Sequence, residues 1–279
     1  MKNKFLNTLL LGLFPLTALV ASHPSSNIET YLEWQKEHSA AFGPCADHKK
    51  GEIEICLDPE EIQTIQNIQY ERLLPKMGQT DAFMASRIGI VAQDQFWIWL
   101  RDPVIFPSKA KGTYNRLFWK NQQNGINGVI VLAQLEDGRL VLNANYRHAT
   151  RSWELELPRG LCNKGENLEE TAHRELKEET GCLVKEVLFL GNVAPDTGVL
   201  ATIASAFYGK VTIQTEAENE FSEAIEGKIL LSPRQLEEAF EKGYLDLTIR
   251  GESRRVFCRD ALTAYAFLQA SLKGILEKK

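Results

Sequence analysis

The chain has 279 residues, 44% hydrophobic and 25% charged, which excludes wholesale disorder, a collagen-like repeat and a multi-span membrane protein. A length of this size accommodates one large domain or two modest ones. Lysine plus arginine number 32 against 37 aspartate plus glutamate, a formal charge of −5. No broad cationic surface is therefore expected to coat a nucleic acid, and phosphate chemistry would need a metal ion or a local basic cluster to offset the acidity.

Lys2 and Lys4 precede an apolar run over residues 6–20, followed by the small residues Ala21 and Ser22. That order is the pattern of a secretory signal peptide, so residues 1–22 are expected to direct export and to be removed near Ala21 or Ser22. The run is interrupted by Pro15 and falls short of the roughly 20 apolar residues of a stable membrane span. Export permits disulfides. Of the cysteines Cys45, Cys56, Cys162, Cys182 and Cys258, the first two are close in sequence and stand apart from the motif below, so they are the expected bridge.

Residues 27–42 and 58–74 read as helices, the second opened by Asp58 as N-cap, Pro59 at the first position and Glu60 and Glu61 in the first turn, and stopped by Pro75 and Gly78. They predict a helical N-terminal lobe over residues 23–86. From Ile88 the pattern becomes that of an α/β domain running to the end of the chain. Short strands are expected at 88–91 and 96–100, with turns at Asp102-Pro103 and Pro107. A strand pair at 129–135 and 140–144 follows, with Gly138 in its turn, then strands at 187–190, 204–211 and 228–231. Ser232-Pro233 opens a helix that Gly243 ends, and residues 258–276 form the last helix.

One stretch carries the chemistry. Residues 167–180 form a good helix, with Gly181 suited to the position just past its end. Glu175, Glu178 and Glu179, spaced i, i+3 and i+4, put three carboxylates on one helical face, which destabilises a helix unless something positive sits among them. Hard divalent cations are the natural partner, because they take oxygen ligands and carry phosphate oxygens on their remaining sites. Glu166 and Arg174 are eight residues apart, so they meet only if the preceding loop folds back onto the helix.

Gly160, Glu166, Arg174, Glu175, Leu176, Glu178, Glu179 and Gly181 together fill the pattern Gly-x5-Glu-x7-Arg-Glu-U-x-Glu-Glu-x-Gly-U, with U bulky and apolar. The final U position holds the smaller Cys182. This stretch resembles the Nudix box. The resemblance covers the box closely and residues 125–270 more loosely, and it implies a mixed-sheet α/β/α sandwich in which the box forms loop–helix–loop. It further implies hydrolysis of a nucleoside diphosphate linked to another group, using Mg²⁺ or Mn²⁺ and water. By matching positions, Glu175, Glu178 and Glu179 would be metal ligands with the carbonyl of Arg159 or Gly160 helping, and Glu166 and Arg174 a bracing ion pair. Glu175 and Glu178 would then carry the catalytic step with the metal.

The flanks resemble the ADP-ribose pyrophosphatases and related nucleotide-sugar hydrolases. The carriers are Asn145-Tyr146-Arg147, then Glu154 through Gly160, Pro195 after the box, and the acidic stretch with Glu216, Glu218 and Glu220. In that subfamily a later acidic loop supplies a catalytic glutamate, which places Glu218 or Glu220 as general base. Arg159 stands where the subfamily carries a small residue. Arg147 reads either as a donor to phosphate or ribose or as an ion-paired surface arginine. Trp119, Tyr146 and Trp153 read as base-stacking or core aromatics. His173 reads as helix surface, since the expected metal prefers oxygen. The expected partner is a nucleotide-type small molecule, with ADP-ribose first. Dinucleoside polyphosphates, NADH, coenzyme-A-type compounds and capped RNA are the alternatives, as is a sensing module without turnover. Because subfamily members often pair through N-terminal strands, a homodimer is a further expectation.

Overall fold

The structure, a computed structural model, describes residues 24–120, 125–213 and 224–276. Its first part joins helices α1 (Pro24–Glu37), α2 (Ser39–Phe42) and α3 (Pro59–Ser86) to a four-stranded antiparallel sheet. That sheet comprises β1 (Glu54–Ile55), β2 (Gly89–Gln93), β3 (Trp97–Ile105) and β4 (Lys111–Trp119), with β3 pairing all three others. The chain between Ser86 and Ile126 thus pairs with the N-terminal helices' own sheet, and the division by sheet pairing falls between Trp119 and Ile126.

Three local expectations are corrected. Helix α3 does not stop at Leu74. It passes Pro75, is broken in axis at Gly78, whose φ of 79° is left-handed, and resumes to Ser86. Asp102-Pro103 is strand rather than turn, because the charge of Asp102 is matched inside the fold. Arg116 Nε donates to Asp102 Oδ2 at 2.5 Å and the Tyr31 hydroxyl donates to Oδ1 at 2.7 Å. Burial, then the neighbouring Asp102 charge, pushes the Tyr31 hydroxyl far up, so it stays a donor. The third correction concerns Cys45 and Cys56, which are free thiols. The backbones adjoin, with Ile55 N donating to Cys45 O at 2.7 Å. The side chains part: Cys56 packs with Ile28, Ile62, Ile65 and Ile88, and Cys45 against the Tyr31–Phe42–Phe118 cluster.

The second part is a ten-stranded mixed sheet whose main path runs β10 (Leu188–Val193), β11 (Ile203–Ile213), β5 (Ile126–Leu135), β6 (Leu140–Arg147), β7 (Ser152–Glu156), β14 (Glu252–Phe257) and β13 (Tyr244–Ile249). Off that path, β8 (Arg159–Leu161) pairs β5, β9 (Cys182–Val184) pairs β11 and β12 (Ile225–Leu231) pairs β6. Strands β5 and β6 pair only near their connecting turn, at Ala133 and Gln134. Beyond it they part, and residues 152–161 enter between them, β7 along β6 and β8 along β5.

Alternation along the strands sorts side chains between two layers. Leu140, Leu142, Ala144 and Leu155 join the core under α5 (Pro233–Lys242) and α6 (Ala261–Leu272). Val129, Val131, Val141 and Phe207 pack on the other face with Ala172 and Leu176 of α4 (Leu168–Thr180). Leu176 is fully buried, worth about 1.5–3 kcal/mol relative to exposure, and it presses the acidic helix onto the sheet. The arrangement is the α/β/α sandwich with a mixed sheet, with helices at the N-terminus.

Arg116 lies between the rings of Phe42 and Phe118, 4.5 and 4.8 Å from their centroids, as well as against buried Asp102. Arg116→Met is expected to destabilise by about 3–5 kcal/mol, because it leaves a buried carboxylate without its cation. Chemical denaturation of the variant against the parent chain measures this.

Candidate active site

Helix α4 is set by its ends. The Asn167 side chain accepts from Glu170 N and the Glu170 side chain accepts from Asn167 N, a reciprocal capping box. Gly181 closes the other end at φ 65°. With Ala172 and Leu176 pinned to the sheet, Glu175 and Glu179 turn inward at 9% and 4% exposure while Glu178 stays at the rim.

The Glu175 carboxyl rests against the bare backbone of residue 160. A Cβ there would sit 1.9 Å from that carboxyl, so any side chain would force the Glu175 carboxyl out of its place beside Arg174. Glu179 Oε2 accepts from Asn143 Nδ2 at 2.7 Å and from Arg159 N at 3.1 Å. Asn143 Oδ1 is buried with no hydrogen-bond partner among the described residues.

The positive group among these carboxylates is Arg174. Its Nε and Nη2 donate to Glu166 Oε1 and Oε2 at 2.9 and 3.0 Å, and Nη2 also reaches the Leu161 carbonyl at 2.8 Å. Its Nη1 lies 2.7 Å from Glu175 Oε1 and 2.9 Å from Glu178 Oε2. Glu166 and Arg174 therefore meet because the loop folds back. Hydrogen bonding from Arg174, with help from Asn163 N–H and the Thr171 hydroxyl, holds the Glu166 carboxyl down at about 2.

A second charged group adjoins on the same face of the sheet. Buried Glu156 receives Arg147, through Nε at 2.9 Å and Nη2 at 2.5 Å, and Arg159 Nη2 at 2.6 Å. Arg159 Nη1 continues to Asp260 Oδ1 at 2.9 Å. Arg147 is thus ion-paired, and it shares the face of Asn143 and Glu179. Tyr146 and Trp153 do not. They pair across β6 and β7 edge to face, ring centroids 5.5 Å apart, and Trp153 packs into the α5/α6 core, so the sheet separates them from Glu179. Trp119 lies in the first sheet against Trp97, at 3.8 Å between centroids. His173 is partly buried on α4 and lines an open cleft of about 480 Å³ with Arg174, Lys177 and Glu178. Glu218 and Glu220 lie outside the described residues.

Sequence reasoning assigned no role to Asn143, Glu156 or Asp260. Polar residues at alternate positions of otherwise apolar strands, Asn143 with Asn145 and Glu154 with Glu156, were the available signal. Asp260 had only the signal of an N-cap. Among the described residues, Asp47, His48 and Glu54 bring possible ligand atoms within 4.8 Å of one another. These groups are already bonded locally, His48 Nδ1 to Glu54 Oε2 at 2.6 Å and Asp47 Oδ1 to Lys49 N at 2.9 Å, and together they fix a short 3-10 turn.

The stretch that holds this loop–helix–loop matches known proteins. The NUDIX domain model matches residues 126–248, from β5 into β13. Over 154 residues the chain is 32% identical to an ADP-ribose pyrophosphatase of Bacillus subtilis (strain 168), covering 53% of this chain and 74% of that protein. Over 122 residues it is 30% identical to the ADP compounds hydrolase NudE of Escherichia coli (strain K12), covering 44% of this chain and 59% of that protein. A crystal structure of an ADP compounds hydrolase matches at a TM-score of 0.50 and 20% identity, covering 66% of this chain and 91% of the other, which supports the fold. The chain belongs to the Nudix family. More particularly, it is a Nudix pyrophosphohydrolase, homologous to ADP-ribose and ADP-compound hydrolases.

Because the folded carboxyl of Glu166 titrates near 2 and an unfolded one near 4.3, its contribution to stability is complete above about pH 4.5 and is lost as pH falls toward 2. Melting temperatures of Glu166→Gln are expected to fall less than those of the parent across that interval.

Proposed function

We propose that the chain is a Mg²⁺- or Mn²⁺-dependent hydrolase of the diphosphate bridge in ADP-ribose or a related nucleotide sugar, yielding AMP and ribose 5-phosphate from the former. The observation that carries the reading is the approach of Glu175 to the bare Gly160 backbone, with Glu178 and Glu179 one turn on. The donor set fits a hard divalent ion: carboxylate oxygens of Glu175 and Glu178 crowd around one Arg174 guanidinium nitrogen, and no side chain intrudes at residue 160. Glu175, Glu178 and Glu179 would hold the ion, with the Arg159 or Gly160 carbonyl. When bound, such an ion supplies charge neutralisation on the diphosphate oxygens and a more acidic attacking water.

The chain's own residues set the geometry. Glu166 fixes Arg174, which spaces Glu175 from Glu178. Asn143 and the Arg159 amide fix Glu179. Arg147, anchored on Glu156 at the same face, has donor capacity left for a phosphate or ribose oxygen. Glu218 or Glu220 serves as the base that accepts the proton of the attacking water. Residues 1–22 are proposed as an export signal, which would place the enzyme outside the cytoplasm. Among the described residues no helix is long and apolar enough to cross a membrane.

Incubation with ADP-ribose and Mg²⁺ is expected to release AMP, and EDTA or Glu179→Gln to remove at least about 10²-fold of the rate. Full activity in either case overturns the mechanism. Turnover of a dinucleoside polyphosphate, NADH, a coenzyme-A-type compound or capped RNA in preference to ADP-ribose reassigns the substrate. Tight nucleotide binding without products makes the chain a sensor.

A further inference from the structure

We propose that Arg159 and Asp260 form a positioning pair through which the C-terminal helix holds Glu179 in its metal-ligating orientation. The inference rests on the metal-dependent reading above and concerns residues outside the three glutamates.

The backbone amide of Arg159 is one of the two donors to Glu179 Oε2 described above, the other being Asn143 Nδ2. Pairing with β5 holds that amide on one side, where Arg159 stands opposite Ile130 and Pro158 O accepts from Val131 N at 2.9 Å, and the N-terminus of α6 grips it from the other. Asp260 caps the helix through Oδ2, which accepts from Thr263 N at 2.8 Å and from Thr263 Oγ1 at 2.7 Å, leaving Oδ1 to receive Arg159 Nη1. Thr263 Oγ1 in turn accepts from Leu157 N at 3.1 Å. The same helix end therefore grips the chain on both sides of Pro158, which has no N–H of its own to offer. Sheet pairing supports this segment only briefly, since β8 is three residues long.

The second donor belongs to the same circuit. Asn143 stands opposite Glu156 in the β6/β7 register, and Glu156 is the carboxylate that binds the other arm of Arg159. Arg159 and Asp260 are 18% and 14% exposed at their side chains, so their ion pair is not an ordinary solvated surface contact. A guanidinium can join Glu156 and Asp260 simultaneously because its donors form a rigid fork, which an ammonium lacks. Partners that orient a metal ligand commonly change metal affinity by about 10–100-fold when removed.

The test is Mn²⁺ binding to the full chain without nucleotide, read by water-proton relaxation, alongside kcat and KM for ADP-ribose. Asp260→Asn keeps a good N-cap while removing the charge. It is expected to weaken Mn²⁺ binding about tenfold, to lower kcat and to leave KM for the nucleotide near the parent value. Arg159→Ala is expected to do the same, Arg159→Lys to lose less, and the Asp260→Asn/Arg159→Ala double variant to lose no more than the worse single variant. Parent-like Mn²⁺ affinity in Asp260→Asn overturns the pairing, as do losses that add in the double variant. A lower melting temperature with unchanged Mn²⁺ affinity also overturns it, showing a structural strut only. If the parent chain itself binds no Mn²⁺, the metal-dependent reading falls and this inference with it. A binding parent with unaffected variants sinks only this inference. Should Arg159→Ala fail to fold, Asp260→Asn decides alone.

Discussion

The crowding of carboxylates around one guanidinium organises this molecule. Three glutamates within five residues of one helix repel one another, and two of them are buried where water screens poorly. Arg174 meets that repulsion with planar donors that reach Glu166, Glu175, Glu178 and the Leu161 carbonyl at once. The loop before the helix must fold back for Glu166 to join, so the electrostatic solution also shapes the backbone. A glycine at 160 then leaves room for the Glu175 carboxyl against the strand. Charge, loop path and packing are one constraint seen from three sides.

The sheet supplies the rest of the site by parting. Because β5 and β6 separate beyond their turn, the segment from β7 to β8 runs between them and carries Glu156, Arg159 and Gly160 to the ends of Glu175 and Glu179. Alternation determines which side chains are admitted. Asn143, Arg147 and Glu156 face α4, whereas Tyr146 and Trp153 one residue away face the opposite core. The first part of the chain adds a separate core built around Asp102, Tyr31 and Arg116, and meets the second along β4. There Leu117 exchanges backbone hydrogen bonds with Val199 and Ala201. The intervening turn is held by Asp196 Oδ1, which accepts from Gly198, Val199 and Leu200.

Much of this was legible in advance because it depends on local periodicity. The extent of α4, its caps, the shared face of Glu175, Glu178 and Glu179, and the hairpin around Gly138 follow from spacing along the chain. Errors arose where a local signal was outweighed at a distance. Pro75 and Gly78 read as a stop, but the helix resumes beyond the break and Ala82 and Ser86 are buried there. Asp102-Pro103 read as a turn, but Arg116 and Tyr31 arrive from other elements to neutralise the aspartate. Cys45 and Cys56 are near neighbours by sequence, yet their side chains enter different cores.

The amino-acid sequence by itself determined the helix that carries the acidic residues, their common face and the family to which they point, since these are properties of a few turns of backbone. The tertiary structure alone decided which cations and amides meet those residues, that Arg147 is bound to Glu156, and that the end of α6 reaches the segment before Gly160. Those contacts join residues as far apart as Leu157 and Thr263, and no periodicity encodes them. They exist because packing two helical layers on a parted sheet brings the buried charges together, where each must find an opposite partner.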